Sequence, residues 1–179
     1  FTAGGTYLPY KADESLVPDY LPVSQNKHQV RITASTHDTK GILQNVLPEA
    51  IENTKRLEHK MRKHLDEYTF YEFDQQDGSD SLIISYDISS QASREAVAQL
   101  RAQGKKVSLL VAKTLLPIPQ VYVDIANRYN KVVVVEENLT GQFRHLLFGA
   151  AGRKGVSGVN GIAKMISPTE IVEEVMRYE

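Results

Sequence analysis

The apolar positions change their period along the chain, and the changes mark its organisation. Residues 1–41 show little regularity and are punctuated by Gly4, Gly5, Pro9, Pro18 and Pro22, which predicts an extended arm with few regular elements. One short run in it, residues 29–33, alternates as a strand would. Over residues 48–68 the pattern becomes helical. Leu47, Ala50, Thr54, Leu57, Met61, Leu65 and Tyr68 recur at spacings of three and four, a narrow apolar stripe on an otherwise charged helix. Its charged face reads either as a basic surface for phosphate or a partner subunit, or as a solvated helix lying across a domain, and the second is the simpler reading.

After the turn signal Asp77-Gly78-Ser79, runs of strand length alternate with helical stripes. Residues 81–86 are a mostly apolar strand. Ser90 is placed to cap a helix with Ala92, Ala96, Val97 and Leu100 on one face, and Gly104 sits where a C′ glycine belongs. Residues 106–111 read as a second strand. Pro117 and Pro119 open a helix carrying Ile118, Val121, Tyr122, Ile125 and Tyr129. Val132 to Val135 form a third strand, followed by a glycine-started helix with Phe143, Leu146, Leu147 and Ala150 inward. The Gly-rich stretch 152–161 reads as a flexible connector, and Ile162-Ala163-Lys164-Met165 as a short edge strand. Ser167-Pro168-Thr169-Glu170 is a capping box that starts a last helix with Ile171, Val172, Val175 and Met176 buried.

Strand and helix in alternation mean βαβ units, and strands apolar throughout imply a sheet covered on both faces. The predicted fold class is α/β: a three-layer domain with a mainly parallel sheet over residues 80–179, preceded by an extended connector arm (1–47) and a linker helix and turn (48–79). The arm carries Phe1, Tyr7, Leu8, Tyr10, Leu16, Val17, Tyr20 and Leu21, too apolar for a solvated linker, so it is expected to be protected through contacts in an assembly.

Composition narrows the chemistry. The chain has 179 residues, 41% hydrophobic and 24% charged, an ordinary globular mixture. Lysine plus arginine number 21 against 22 acidic residues, so the basic footprint of a nucleic-acid binder is absent. No apolar run approaches a membrane span and no signal-peptide core appears, which makes a cytoplasmic, membrane-free protein the expectation. There is no cysteine, so this chain supplies no disulfide, thiolate metal site, Cys nucleophile or iron–sulfur ligand. The first residue is Phe1 rather than Met, and the chain is expected to be a piece of something longer.

Ligands in open α/β sheets gather beyond the carboxyl ends of the strands, here residues 87–90, 112–116 and 136–142. The last segment, Glu136-Glu137-Asn138-Leu139-Thr140-Gly141-Gln142, places carboxylates, amides and a hydroxyl around one turn. A carboxylate there can act as a general base with the helix N-terminus receiving an anion. Equally, Glu137 and Asn138 can satisfy turn amides or touch a neighbouring subunit. Asn138-Leu139-Thr140 also matches a glycosylation acceptor, with nothing to suggest secretion. Gly152-Arg153-Lys154-Gly155, with Gly158 and Gly161, lacks the Walker spacing, but Arg153 and Lys154 are candidates for contact with an anion. His37-Asp38 is a pair without a nucleophile or rigid frame, and His59 and His64 are off the spacing that aligns two metal ligands on a helix. No Gly-Asp-Gly motif for thiamine diphosphate is present. No catalytic, cofactor-binding or metal-binding residue is assigned.

The run Val132-Val133-Val134-Val135-Glu136-Glu137-Asn138-Leu139-Thr140-Gly141-Gln142 resembles the strand and turn of the alpha subunit of 2-oxoacid:ferredoxin oxidoreductases (2-oxoglutarate/pyruvate type), in which an Asn, a Gly and a Gln recur after a valine-rich strand and an acidic residue. Thr33-Ala34-Ser35-Thr36-His37-Asp38-Thr39-Lys40-Gly41 is similar to the segment joining that subunit's two domains, with Ala34 in place of a usual glycine. The resemblance implies the connector plus a domain like the C-terminal one of transketolase. It implies a parent complex that oxidatively decarboxylates a 2-oxoacid to an acyl-CoA and reduces ferredoxin, using thiamine diphosphate, magnesium and iron–sulfur clusters held elsewhere. The partners implied are a thiamine-diphosphate-binding beta subunit, further subunits and, indirectly, ferredoxin, in an oligomer. On this reading Glu137, Asn138, Gly141, Gln142, His37 and Asp38 shape contacts with a neighbouring domain or subunit. The alternatives are an autonomous α/β enzyme or nucleotide-binding module using the 136–142 turn and the 152–161 loop, and a protein-binding module unrelated to 2-oxoacids.

Overall fold

The computed structural model describes residues 1–2, 4–32 and 34–177, which fall into two compact units, Phe1–Leu65 and Asp66–Glu179. Thr33, which ends the predicted strand 29–33 and opens the connector motif, and Glu179 lie outside the described residues.

Helix α1 (Pro48–Lys63) lies in the first unit, and a 3-10 turn, Leu65–Tyr68, begins at that unit's last residue and continues into the second. The arm contains only two short antiparallel strands among its described residues, β1 (Thr36–His37) and β2 (Leu43–Gln44), and residues 29–32 form none. The arm is held along α1 by bonds from side chains on each to backbone carbonyls of the other. Arg56 Nη1 donates to the Leu16 carbonyl at 2.9 Å, and His64 Nε2 lies 2.8 Å from the Ser15 carbonyl. Thr36 Oγ1 donates to the Ala50 carbonyl at 2.9 Å, where Ala50 and Asn53 are the buried positions of the helix. The arm thus finds support within its own unit, because a Pro-rich backbone that cannot pair as sheet has its carbonyls met by side chains. Tyr20, Val23 and Ile32 stay exposed, as do Leu57 and Met61 of the α1 stripe.

The second unit is a five-stranded sheet. Its elements are β3 (Tyr71–Asp74), β4 (Ser81–Tyr86), α2 (Ser89–Ala102), β5 (Val107–Ala112), α3 (Gln120–Ala126), β6 (Lys131–Glu136), α4 (Gln142–Phe148), β7 (Val156–Asn160) and α5 (Pro168–Arg177). The strand order is β3-β5-β4-β6-β7, parallel throughout except for β3, which runs antiparallel to β5. Because successive residues of a strand face opposite ways, the unbroken apolar runs feed two cores. Ile83, Leu109, Val133 and Val135 pack under α2 and α5, and Leu82, Ile84, Leu110, Val132 and Val134 pack under α3 and α4. The result is the three-layer α/β arrangement.

Three local expectations are corrected, and one strand, β3, was not predicted. The fifth strand is β7, inside the Gly-rich stretch, and residues 162–165 are not a strand. Strand β3 had no sequence signal, since only Phe73 and the half-exposed Tyr71, edge-on to Tyr122, face the core while Glu72 and Asp74 are held by distant cations. Arg101 makes a fork to Asp74 at 2.9 and 3.0 Å, tying the edge strand to α2. Ser90 is not the cap of α2: the helix begins at Ser89, and Ser90 Oγ donates back to the Asp87 carbonyl at 2.6 Å. Leu146 is exposed rather than inward.

The capping box forms as expected. Ser167 N–H donates to Glu170 Oε2 at 2.9 Å, and Glu170 N–H donates to Ser167 Oγ at 3.3 Å. Lys164, hydrogen-bonded to the carboxylate, and the Ser167 amide and hydroxyl lower the Glu170 carboxyl from 4.5 to about 2. A carboxyl held lower when folded stabilises fully above its unfolded value of 4.5 and loses that contribution as pH falls toward about 2. Glu170→Gln should therefore lower the melting temperature at neutral pH, with the gap to the parent narrowing through this acid window. A gap that stays constant down to its lower end would show that the charge contributes nothing.

Candidate functional site

Strand β4 is the centre from which the chain winds both ways: β5 lies on one side and β6 on the other. Such a reversal opens a crevice beyond the strand ends, and the loop after β6 stands at it. Glu136, the last residue of β6, is fully buried. Its Oε2 accepts the Phe143 N–H at 2.7 Å and its Oε1 the Arg144 N–H at 3.1 Å, and Asn138 Nδ2 also donates to Oε2. Asn138 Oδ1 in turn accepts the N–H groups of Gly141 at 2.7 Å and Gln142 at 3.0 Å. The start of α4 is therefore capped by a strand residue and a loop amide, with Gly141 at φ +71° supplying the left-handed turn into the helix.

This geometry corrects the idea of a helix N-terminus awaiting an anion beside a free base. The first N–H donors of α4 and the Glu136 carboxylate are committed to each other. Asn138 Nδ2 also lies 3.5 Å from the Tyr86 hydroxyl, and the Tyr86 ring meets Phe143 edge-on at 5.1 Å. Burial pushes the Tyr86 hydroxyl up, the Asn138 bond opposing it.

The other face of the turn looks outward. Glu137, Leu139, Thr140 and Gln142 are exposed. Each loop leaving a parallel strand repeats the pattern, with Ile88 48%, Leu116 62%, Leu139 71%, Ile162 63% and Met165 69% exposed. Large apolar side chains thus stand in water after β4, β5, β6 and β7 alike, on the edge where α/β proteins make contacts. Sequence reasoning missed this rim, although the signal was present as one or two apolar residues in each such loop.

Beyond the ends of β4 and β5 lies an open hollow lined by Tyr86, Asp87, Ser90, Arg94, Lys113 and Glu72. Glu72 sits between Lys113 at 2.6 Å and Arg94 at 2.5 Å, and these cations, Lys113 first, hold its carboxyl below the usual range.

The remaining candidates are engaged locally. His37 is buried in the first unit, stacked on Tyr10 with ring centres 4.4 Å apart. Asp38 Oδ1 accepts the N–H groups of Lys40 and Ile42, each at 2.9 Å, and these bonds, Ile42 first, hold its carboxyl low. The pair shapes the β1–β2 turn. Arg153 donates to the carbonyls of Ala126 and Tyr129 at 3.2 Å and to Asn127 Oδ1 at 2.9 Å, and lies over Phe148 at 5.2 Å. Its guanidinium covers the carbonyl end of α3, whereas Lys154 is exposed.

Comparison with known proteins agrees with this architecture. Residues 79–166 match the family model of the pyruvate:ferredoxin oxidoreductase core domain II. The 2-oxoglutarate synthase subunit KorA of Methanothermobacter thermautotrophicus is 29% identical over 174 residues, covering 96% of this chain and 46% of that protein. The chain therefore spans less than half the length of that curated relative. A 2-oxoglutarate:ferredoxin oxidoreductase from Magnetococcus marinus, solved with 2-oxoglutarate, coenzyme A and succinyl-CoA bound, is 27% identical with a TM-score of 0.78, over 99% of this chain and 32% of that one. A split-gene transketolase, an inactive beta4 tetramer, is 18% identical with a TM-score of 0.50 over 60% of this chain and 41% of that one, a likeness of fold alone. The valine strand, its Asn–Gly–Gln turn and these matches converge: residues 79–166 match the core domain II of the pyruvate:ferredoxin oxidoreductases, and the chain as a whole is similar to subunits of 2-oxoacid:ferredoxin oxidoreductases.

Proposed function

We propose that the chain is an assembly-forming part of the alpha subunit of a thiamine-dependent 2-oxoacid:ferredoxin oxidoreductase, whose intact complex converts a 2-oxoacid to an acyl-CoA and reduces ferredoxin. The apolar rim at the carboxyl edge supports this reading, because side chains of that size exposed in four successive loops are what a docking surface requires. The named activity of the relatives supports 2-oxoglutarate as the 2-oxoacid. The chain's own donors do not fit the redox and thiamine chemistry. It has no cysteine to ligate a cluster, and among the described residues no three His, Asp or Glu gather around a metal position. The Glu136 and Asn138 side chains are spent on the α4 cap. Thiamine diphosphate, magnesium and iron–sulfur clusters are assigned to the beta subunit and other parts of a cytoplasmic oligomer, with Glu137 and Gln142 polar members of the surface that meets it.

Sedimentation with the thiamine-diphosphate-binding partner subunit tests this. Leu139→Ser and Met165→Ser should each weaken association by about tenfold or more, as loss of an interface anchor does. The melting temperature of the lone chain should hardly move, since exposed substitutions stay within about 0.5 kcal/mol. Unchanged association in both variants, or 2-oxoacid turnover by the isolated chain, would overturn the proposal.

A further inference from the structure

The β6–β7 side of the carboxyl edge holds a cation that the assembly reading does not use. Arg144, in the first turn of α4, is half-buried, and its guanidinium lies between two glycines. A Cβ built on Gly158 would meet Arg144 Nη1 at 2.7 Å, and one on Gly141 would meet Nη2 at 3.0 Å. The two bare Cα atoms make a slot that a planar guanidinium fills. Gly141 has a second reason to be glycine, its left-handed turn, but Gly158 does not: it sits inside β7 without a positive φ. Glycine in a strand interior weakens the strand and marks close approach by another group, here the Arg144 fork.

Among the described residues this guanidinium has neither a hydrogen bond nor an ion pair. Glu136 meets the Arg144 backbone N–H and not its side chain. Asn160, which pairs with Glu136 across the β6–β7 ladder, brings its Oδ1 to the same place, 2.9 Å from the Cβ position of Gly158. Its Nδ2 is buried and, among the described residues, without a hydrogen-bond partner. Buried donors are nearly always satisfied, and the Asn160 amide is one that is not, while the Arg144 guanidinium beside it, half-buried, keeps its charge available at the surface. Here an unpaired guanidinium and an unpaired amide sit together at the ligand-facing edge of a parallel sheet.

We infer that Arg144 and Asn160 form a receptor for a small oxyanion, a carboxylate or a phosphate. The guanidinium fork matches two oxygens of either group, and the Asn160 amide adds a neutral donor. The N–H groups at the start of α4 contribute nothing, being taken by Glu136 and Asn138. The site requires no partner subunit and so stands apart from the docking proposal.

Titration of the nitrogen-15-labelled 179-residue chain tests it. Inorganic phosphate and succinate are added separately at constant ionic strength, with the Arg144 Nε–H and Asn160 Nδ2 resonances followed by NMR. At least one anion should give saturable shifts with a dissociation constant of about 1 mM or tighter. Arg144→Gln, which removes the charge, and Gly158→Ala, which fills the slot, should each weaken that binding about tenfold or more, with the spectrum of the folded chain otherwise preserved. Saturation by neither anion, or undiminished binding in either variant, would overturn the assignment.

Discussion

Replacing Glu136 by alanine is expected to lower the unfolding free energy by roughly 3 kcal/mol, read as a drop in the urea midpoint at unchanged slope. The carboxylate is fully buried and accepts three donors: the N–H groups of Phe143 and Arg144 and the Asn138 amide. Each orphaned buried donor costs about 1–3 kcal/mol, and the Arg144 N–H, only partly buried, will find water and cost least. Asn138 would also lose the anchor that aims its Oδ1 at Gly141 and Gln142, so the damage spreads through the turn. Glu136→Gln keeps the shape and one acceptor oxygen and should lose clearly less. A loss below about 1 kcal/mol for the alanine variant would mean that the turn is held by its backbone alone.

The second large effect is expected in the sheet. Ile84→Ala, at the middle of β4 between β5 and β6, should cost about 2–5 kcal/mol. The side chain is completely buried in the core shared with Leu110, Tyr122, Val134 and Phe143, so surrounding strands on both sides limit collapse into the void. Thermal and urea unfolding of the same variant should agree. A value near that of a surface substitution would show that the core under α3 and α4 repacks freely. The contrast with Leu139→Ser separates the two kinds of apolar residue in this unit: Ile84 serves folding, and Leu139 stands in water.

Much of the second unit is written in local patterns. Strands β4, β5 and β6 are buried on both faces, so nearly every residue in them is apolar and the runs are unmistakable. The Ser167–Glu170 box was legible because both of its reciprocal bonds lie within four consecutive residues. The Asn–Gly–Gln turn was recognisable as a motif for a similar reason, although its function within the fold was not. Glu136 looked like a candidate base, and only the position of α4 showed that its carboxylate caps the helix.

What sequence alone determined is therefore the α/β class, the central strands, the start of the last helix at its capping box, and the family to which the Val132–Gln142 run points. Tertiary structure decided the rest, because the deciding partners are remote along the chain. Strand β3 depends on Arg94, Arg101 and Lys113 to neutralise Glu72 and Asp74. Strand β7 tolerates Gly158 because Arg144 occupies the space a side chain would fill. The arm is held by Arg56, His64 and Thr36 bonding to backbone carbonyls, which every residue has and no sequence pattern reveals. A period can be read from neighbours, whereas an ion pair, a slot or a backbone acceptor exists only once the chain has brought distant residues together.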